Sequence, residues 1–213
     1  MHLFKLTFIY LVAIISCTFL LIMDLPIVVV FLLLFMYVFA LTMFPYLNTL
    51  FWSNNISKMD RFITKHKTKP VFAYPYAVAH ETVTEQKISV QKILSSYKKQ
   101  DVQHNYRSLL ATLDKDFELA LVEAKQLQKE PIRSYTIAHI ETLLGNFEAA
   151  KSLIPNLKKE WMPHAIEGLI AYEQHDFQTF EKEAHAATAK VRGLQKHLLF
   201  YSFKEMKARL EAK

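Results

Sequence analysis

At 213 residues with a formal net charge of +6, the chain has room for one or two domains, but its composition is so uneven that the two ends need separate treatment. Residues 1–52 contain only Lys5 and Asp24 as charged side chains, whereas residues 53–213 carry 25 Lys or Arg against 19 Asp or Glu. Three scattered glycines, Gly145, Gly168 and Gly193, rule out a glycine-rich phosphate loop, and one cysteine, Cys17, rules out an intrachain disulfide and a cysteine zinc site.

In chain order, the first elements are two uncharged apolar stretches. Leu6 to Met23 supplies 18 residues and Leu25 to Leu47 another 23, close to the ~20 needed to cross a ~30 Å hydrocarbon core. Asp24 resists burial in lipid and Pro26 favours a helix start, so the pattern predicts two membrane helices, about 6–23 and 26–47, with a tight turn at 24–26. Neither stretch has a polar face, as a helix of a soluble domain would need. Lys58, Arg61, Lys65, Lys67 and Lys69 follow the second span and the turn has no basic residue, so both termini are expected in the cytoplasm of a multi-pass cell-membrane protein. The same five cations are candidates for contact with anionic lipid. The net positive charge is accounted for by this topology, and no nucleic-acid partner is expected.

Ile14, Ile15, Ser16 and Cys17 resemble the lipobox of bacterial lipoproteins. A second apolar span after the cysteine and a basic segment beyond it argue against export, so the hairpin is preferred. Pro70 and Pro75, among Phe72, Tyr74 and Tyr76, interrupt any continuous helix, so residues 53–84 are read as a basic juxtamembrane segment and connector.

From there to the carboxyl end an all-α domain, 85–213, is expected. Asp116-Phe117, Asn146-Phe147 and Asp176-Phe177 recur at 30-residue intervals, in register with the small residues Ser108, Ala138 and Gly168. Leu110, Ile140 and Ile170 form an apolar column, and Ala124, Ile154 and Ala184 another. Asp116, Asn146 and Asp176 are suited to cap a following helix, and the phenylalanine beside each is expected to fill the gap between paired helices. Leu194 to Leu210 reads as a terminal helix capping the open end of the stack, its polar side carrying Lys196, Lys204, Lys207 and Arg209.

Gly145-Asn146-Phe147, with Ala138 before and Ala150 after, resembles the turn between the two helices of a tetratricopeptide repeat. The resemblance covers residues 103 to about 190, with a degenerate earlier copy whose second helix is Ile88 to Lys99. The period is 30, Arg107 stands at an apolar position and Phe180 at a small one. The resemblance implies an α-helical repeat domain that binds a protein or peptide, with Asn105, Tyr135, His139 and Tyr172 lining a concave face.

Nine histidines form no His-Glu-x-x-His pattern, and His80-Glu81 lacks the second histidine. His164 and Glu167 share a helix face, read as structural. No serine or cysteine stands in a nucleophile context, so no enzyme activity, catalytic residue, metal or cofactor is expected. The expected function is a membrane-anchored helical-repeat adaptor or scaffold. The alternative is a non-catalytic accessory of a membrane enzyme or transport complex, acting through the hairpin. At mid-depth the hairpin has no charged residue, only Ser16, Cys17, Thr18 and Thr42 as polar or thiol groups, which favours the adaptor.

Overall fold

A computed structural model describes residues 10–12, 14–16, 18–20, 22 and 26–211. The chain divides into two compact units, Met1–Trp52 and Ser53–Lys213. Lys5, Cys17 of the lipobox, and Asp24 and Leu25 of the expected turn at 24–26 lie outside the described residues, and with them the joint of the hairpin.

In the first unit, the described residues between 10 and 22 are helical, and helix α1, Ile27–Leu47, begins directly after Pro26. It continues through a π-helical turn, Asn48–Trp52. Together Ile27–Trp52 make one 26-residue helix, with a mean hydropathy of 2.8 over an 18-residue stretch of it, long and apolar enough to cross a membrane. At 1.5 Å per residue it is about 39 Å long. Val28, Phe31 and Phe35 on one face of the helix and Phe44 on the other are all more than 60% exposed, which is costly in water and not in hydrocarbon. Thr42 Oγ1 donates to the Val38 carbonyl at 2.8 Å and Thr18 Oγ1 to the Ile14 carbonyl at 3.0 Å, so these hydroxyls are satisfied within their own helices.

The second unit is built from helices alone among the described residues. Helix α2, Ile56–His66, is capped by Asn55, whose side chain accepts from the Lys58 N–H at 2.8 Å. Its apolar face buries Met59 and Ile63, while Lys58, Arg61 and Lys65 stay in solvent. Helix α3, Pro70–His80, corrects the reading of residues 53–84 as a connector. Pro70 occupies the first turn, where a missing N–H costs nothing, and burial of Phe72, Ala73, Pro75 and Ala77 outweighs the one hydrogen bond that Pro75 removes. Helix α4, Val83–Ser96, follows, with Thr82 accepting from the Glu85 N–H at 3.4 Å.

Three helix pairs then carry the 30-residue period: α5 Gln100–Leu113 with α6 Phe117–Lys125, α7 Ile132–Leu143 with α8 Phe147–Leu153, and α9 Trp161–Glu173 with α10 Phe177–Ala189. The turns are alike in backbone as well as in residue type. Lys115, Gly145 and His175 have φ of 63°, 80° and 59°, and each is followed by the same two bonds. The N–H groups of Asp116, Asn146 and Asp176 reach the carbonyls of Ala111, Glu141 and Ala171, all at 2.9 Å, and those of Lys115, Gly145 and His175 reach Thr112, Thr142 and Tyr172. This is the Schellman closure, in which a left-handed residue ends one helix and satisfies its last carbonyls.

Two expectations need correction. Asp116 and Asp176 do cap, accepting from Leu119 at 3.0 Å and Thr179 at 3.1 Å, but the Asn146 side chain instead donates from Nδ2 to Glu141 Oε2 at 2.8 Å. Its amide can be a donor, and the carboxylate five residues back offers a charged acceptor. Nor do the periodic phenylalanines fill the gap between helices: Phe117 and Phe147 are half-buried and Phe177 is 39% exposed. One helical turn later, Ala120, Ala150 and Phe180 are at most 1% exposed. The small column meets that second column directly, since the buried Ser108 hydroxyl donates to the Ala120 carbonyl at 2.9 Å.

Helix α11, Gly193–Glu211, does not cap a free end. It packs on α10 and also on α2 and α3, so the run of neighbouring helices returns to its start. The join is polar at its centre. Asp60 Oδ1 accepts from His80 Nε2 at 2.8 Å and from His197 Nε2 at 3.0 Å, and the His197 ring lies against Tyr201, tilted by 48° with 4.7 Å between centroids. Burial pushes the Asp60 carboxyl up, but the bonds from His197 and His80 prevail and hold it below its ordinary value. His197 is fully buried, and desolvation lowers its pKa against the pull of Asp60. Asp60→Ala leaves that imidazole without its acceptor, and denaturant titration of the purified chain is expected to show a loss of about 2–3 kcal/mol.

Candidate functional site

Of the four residues expected on a concave face, Asn105 lies on α5 and lines a hollow of about 220 Å³ with Val102, Tyr106, Leu127 and Ile132. Lys99, Asp101 and Lys129 complete its wall. The loop that leads into α7 is held to α5 by the Gln128 N–H, which donates to Asp101 Oδ1 at 3.3 Å. The hollow therefore has an aliphatic floor, one phenol, one amide and charges of both signs. That chemistry suits a peptide segment better than a single ion.

The other three are more enclosed than the repeat register implies. Tyr135 meets the edge of Trp161 at 5.0 Å between centroids and Tyr172 lies 5.8 Å from Phe180, and both pack on the core around Ala138, Trp161 and Phe180. Burial raises the Tyr135 phenol well above its usual value. It raises Tyr106 too, with a smaller contribution from Tyr97. His139 is half-buried, and desolvation lowers its pKa from 6.5 to about 4.

The sign of this last shift makes a prediction. Between pH 6.5 and 4 the unfolded chain binds a proton that the folded His139 refuses, so stability falls as pH falls through that window. The loss expected from this group is about 1–3 kcal/mol. Denaturant titrations at pH 7 and 4.5 should show a smaller pH dependence for His139→Gln than for the parent, and an unchanged dependence would refute the assignment.

Sequence spacing paired His164 with Glu167, but these lie 3.9 Å apart, and the close partner of His164 Nδ1 is Glu183 Oε2 on the next helix at 2.7 Å. His104 Nδ1 meets Glu123 Oε2 at the same 2.7 Å. Both pairs span 19 residues and stand two periods apart, which makes this a repeated link between the two helices of a pair. In the middle pair Ser134 and Leu153 occupy the corresponding places. Among the described residues, His164, Glu167 and Glu183 form the group whose ligand atoms, all within 4.8 Å of one another, could hold a metal ion. The first copy has Arg107 where the third has Glu167, so the second carboxylate beside the histidine is a feature of the third copy and not of the first. Burial, then Glu183, raises the Glu167 pKa. For Glu183, burial works upward but the bonds from His164 and Lys182 prevail and lower it.

The hollow beside Asn105 was not legible in the sequence, because Leu127 and Lys129 come from a loop with no motif. The paired histidines were, in retrospect, marked by their 60-residue separation. No family model matches the chain, and no curated protein or solved structure matches it.

Proposed function

We propose that the protein is a membrane-anchored helical-repeat adaptor that holds a protein or peptide at the cytoplasmic face of the cell membrane. One observation carries this reading: a 26-residue helix, apolar on all sides, is continuous in sequence with a separate compact unit of helix pairs repeated every 30 residues. Stacked helix pairs of this kind present extended surfaces for partners, and tethering raises the effective concentration toward membrane proteins. The tetratricopeptide resemblance, the two-helix hairpin and the cytoplasmic position of both termini belong to the same proposal. Asn105 and the hollow beside it are the assigned contact surface. Tyr135→Ala and Tyr172→Ala make poor probes of binding, because both rings support the core.

The test uses a photo-crosslinking residue at Asn105 in cells, with a second at Glu148, whose side chain is 88% exposed and does not line the hollow. A discrete adduct from position 105 and none from 148 is expected. Adducts from neither, or from both alike, would sink the adaptor reading. Reporter fusions after Lys69 are expected to be active only when the reporter functions in the cytoplasm.

A further inference from the structure

A second, larger hollow, of about 520 Å³, opens between α10 and α11. Its floor is apolar: Phe180, Ala184 and Phe203 belong to the buried core, with Phe200 and Ile56 at the sides. Its rim is basic, with Lys196, Lys204 and Lys207 from α11 against the single carboxylate Glu181. Along α11 the order Lys196, Phe200, Lys204 repeats at four-residue spacing, which puts cation, ring and cation on one face over about 12 Å.

The three lysines are not equally engaged. Lys207 is paired with Glu181 and approaches Glu211 at 3.8 Å. Lys196 meets only the neutral amide of Asn54, at 3.4 Å, and Lys204 lies 5.9 Å from the centroid of the Tyr201 ring. Among the described residues, neither Lys196 nor Lys204 has a carboxylate within ion-pair distance. Phe200, between them, is 38% exposed. A cleft that offers aromatic surface below and two uncompensated cations above is complementary to an anionic amphiphile.

The chain itself says which kind. Ile56, in the wall of the hollow, follows Trp52 by four residues, a span of at most about 14 Å. The start of α11 is bound to the same stretch, the Gly193 N–H donating to the Ser53 carbonyl at 2.8 Å. We propose that this hollow binds an anionic membrane phospholipid, one of its acyl chains against Phe200 and the apolar floor and its headgroup phosphate at Lys196 and Lys204. The choice of a membrane lipid rests on the membrane-anchored reading above. The site is distinct from the basic face of α2, whose Lys58, Arg61 and Lys65 have no such apolar floor.

Native mass spectrometry of the full chain in neutral detergent, with dioleoyl phosphatidylglycerol or dioleoyl phosphatidylcholine added, tests this. The expected result is a single retained phosphatidylglycerol, favoured over phosphatidylcholine by about thirtyfold, given the roughly 1 kcal/mol that each of the two cations contributes near a lipid headgroup. The adduct should be lost in Lys196→Gln/Lys204→Gln and in Phe200→Glu, which places a carboxylate between the lysines at an already exposed position. It should persist in Lys58→Gln/Arg61→Gln/Lys65→Gln. Equal retention of both lipids, loss on the α2 variant alone, or displacement by millimolar inorganic phosphate would overturn the proposal. Helicity by circular dichroism shows that each variant is folded. Carbonate extraction of the native membrane separates the two readings: release of the chain would end the anchor while leaving a lysine-dependent lipid site in place.

Discussion

A fragment that starts at Val71 should be much less stable than one that starts at Ser53, by about 5 kcal/mol or more. Removing residues 53–70 takes away Met59, at 1% exposure, Ile63, at 0%, and Asp60, the acceptor for His80 and His197. Truncating a fully buried Met or Ile to alanine costs about 2–5 kcal/mol each, and α11 would lose the apolar and polar sides of one interface together. Against a total of about 5–15 kcal/mol for an ordinary domain, that leaves the shorter fragment near its folding threshold. The measurement is urea denaturation of the two fragments followed by circular dichroism. A sharp transition at the same midpoint for both would show that α2 is a dispensable tether, as the prolines after it suggest when only the sequence is read.

Phe180→Ala is expected to cost about 3–5 kcal/mol, and Phe147→Ala only about 1–2 kcal/mol. The ring of Phe180 is 1% exposed and lies 5.8 Å from Tyr172 and 6.0 Å from Phe203. It therefore bridges the third helix pair to α11, where Ala120 and Ala150 merely let helices approach. Phe147 is half-buried at the start of its helix. Denaturant midpoints of the two variants decide, and the reverse ranking would restore the phenylalanine of the 30-residue motif as the wedge between helices.

The comparison shows where sequence reasoning holds. The apolar helix from Ile27 was legible because it rests on a long run of one chemistry, and α11 because Leu194, Leu198 and Tyr201 recur at helical spacing. The period was legible through Asp116, Asn146 and Asp176, yet their backbone turns were not, because Lys115 and His175 take a conformation that glycine alone advertises. The pairing of α11 with α2 joins residues 137 apart, as in His197 with Asp60, and no local pattern announces it. At the candidate surface, Asn105 came from repeat register. Its neighbour Leu127 comes from a loop and Ile132 from the first residue of α7, and the aromatic floor lies between α10 and α11, where the sequence shows only a polar side of lysines.

The return of α11 to α2 and α3 also governs how the fold is reached. In an open row of repeats each unit needs only its neighbour, so order spreads from any starting point. Here one seam closes a loop of well over a hundred residues, and such non-local closure slows folding. On the ribosome, α2 emerges long before α11, with Met59 and Ile63 uncovered and Asp60 waiting for His197. Until the chain has been made as far as Phe203 and beyond, the first helices have one another but lack the side of their packing that α11 supplies. Synthesis arrested within the third helix pair should therefore leave a nascent chain that chaperones hold and proteases cut between Ser53 and His80.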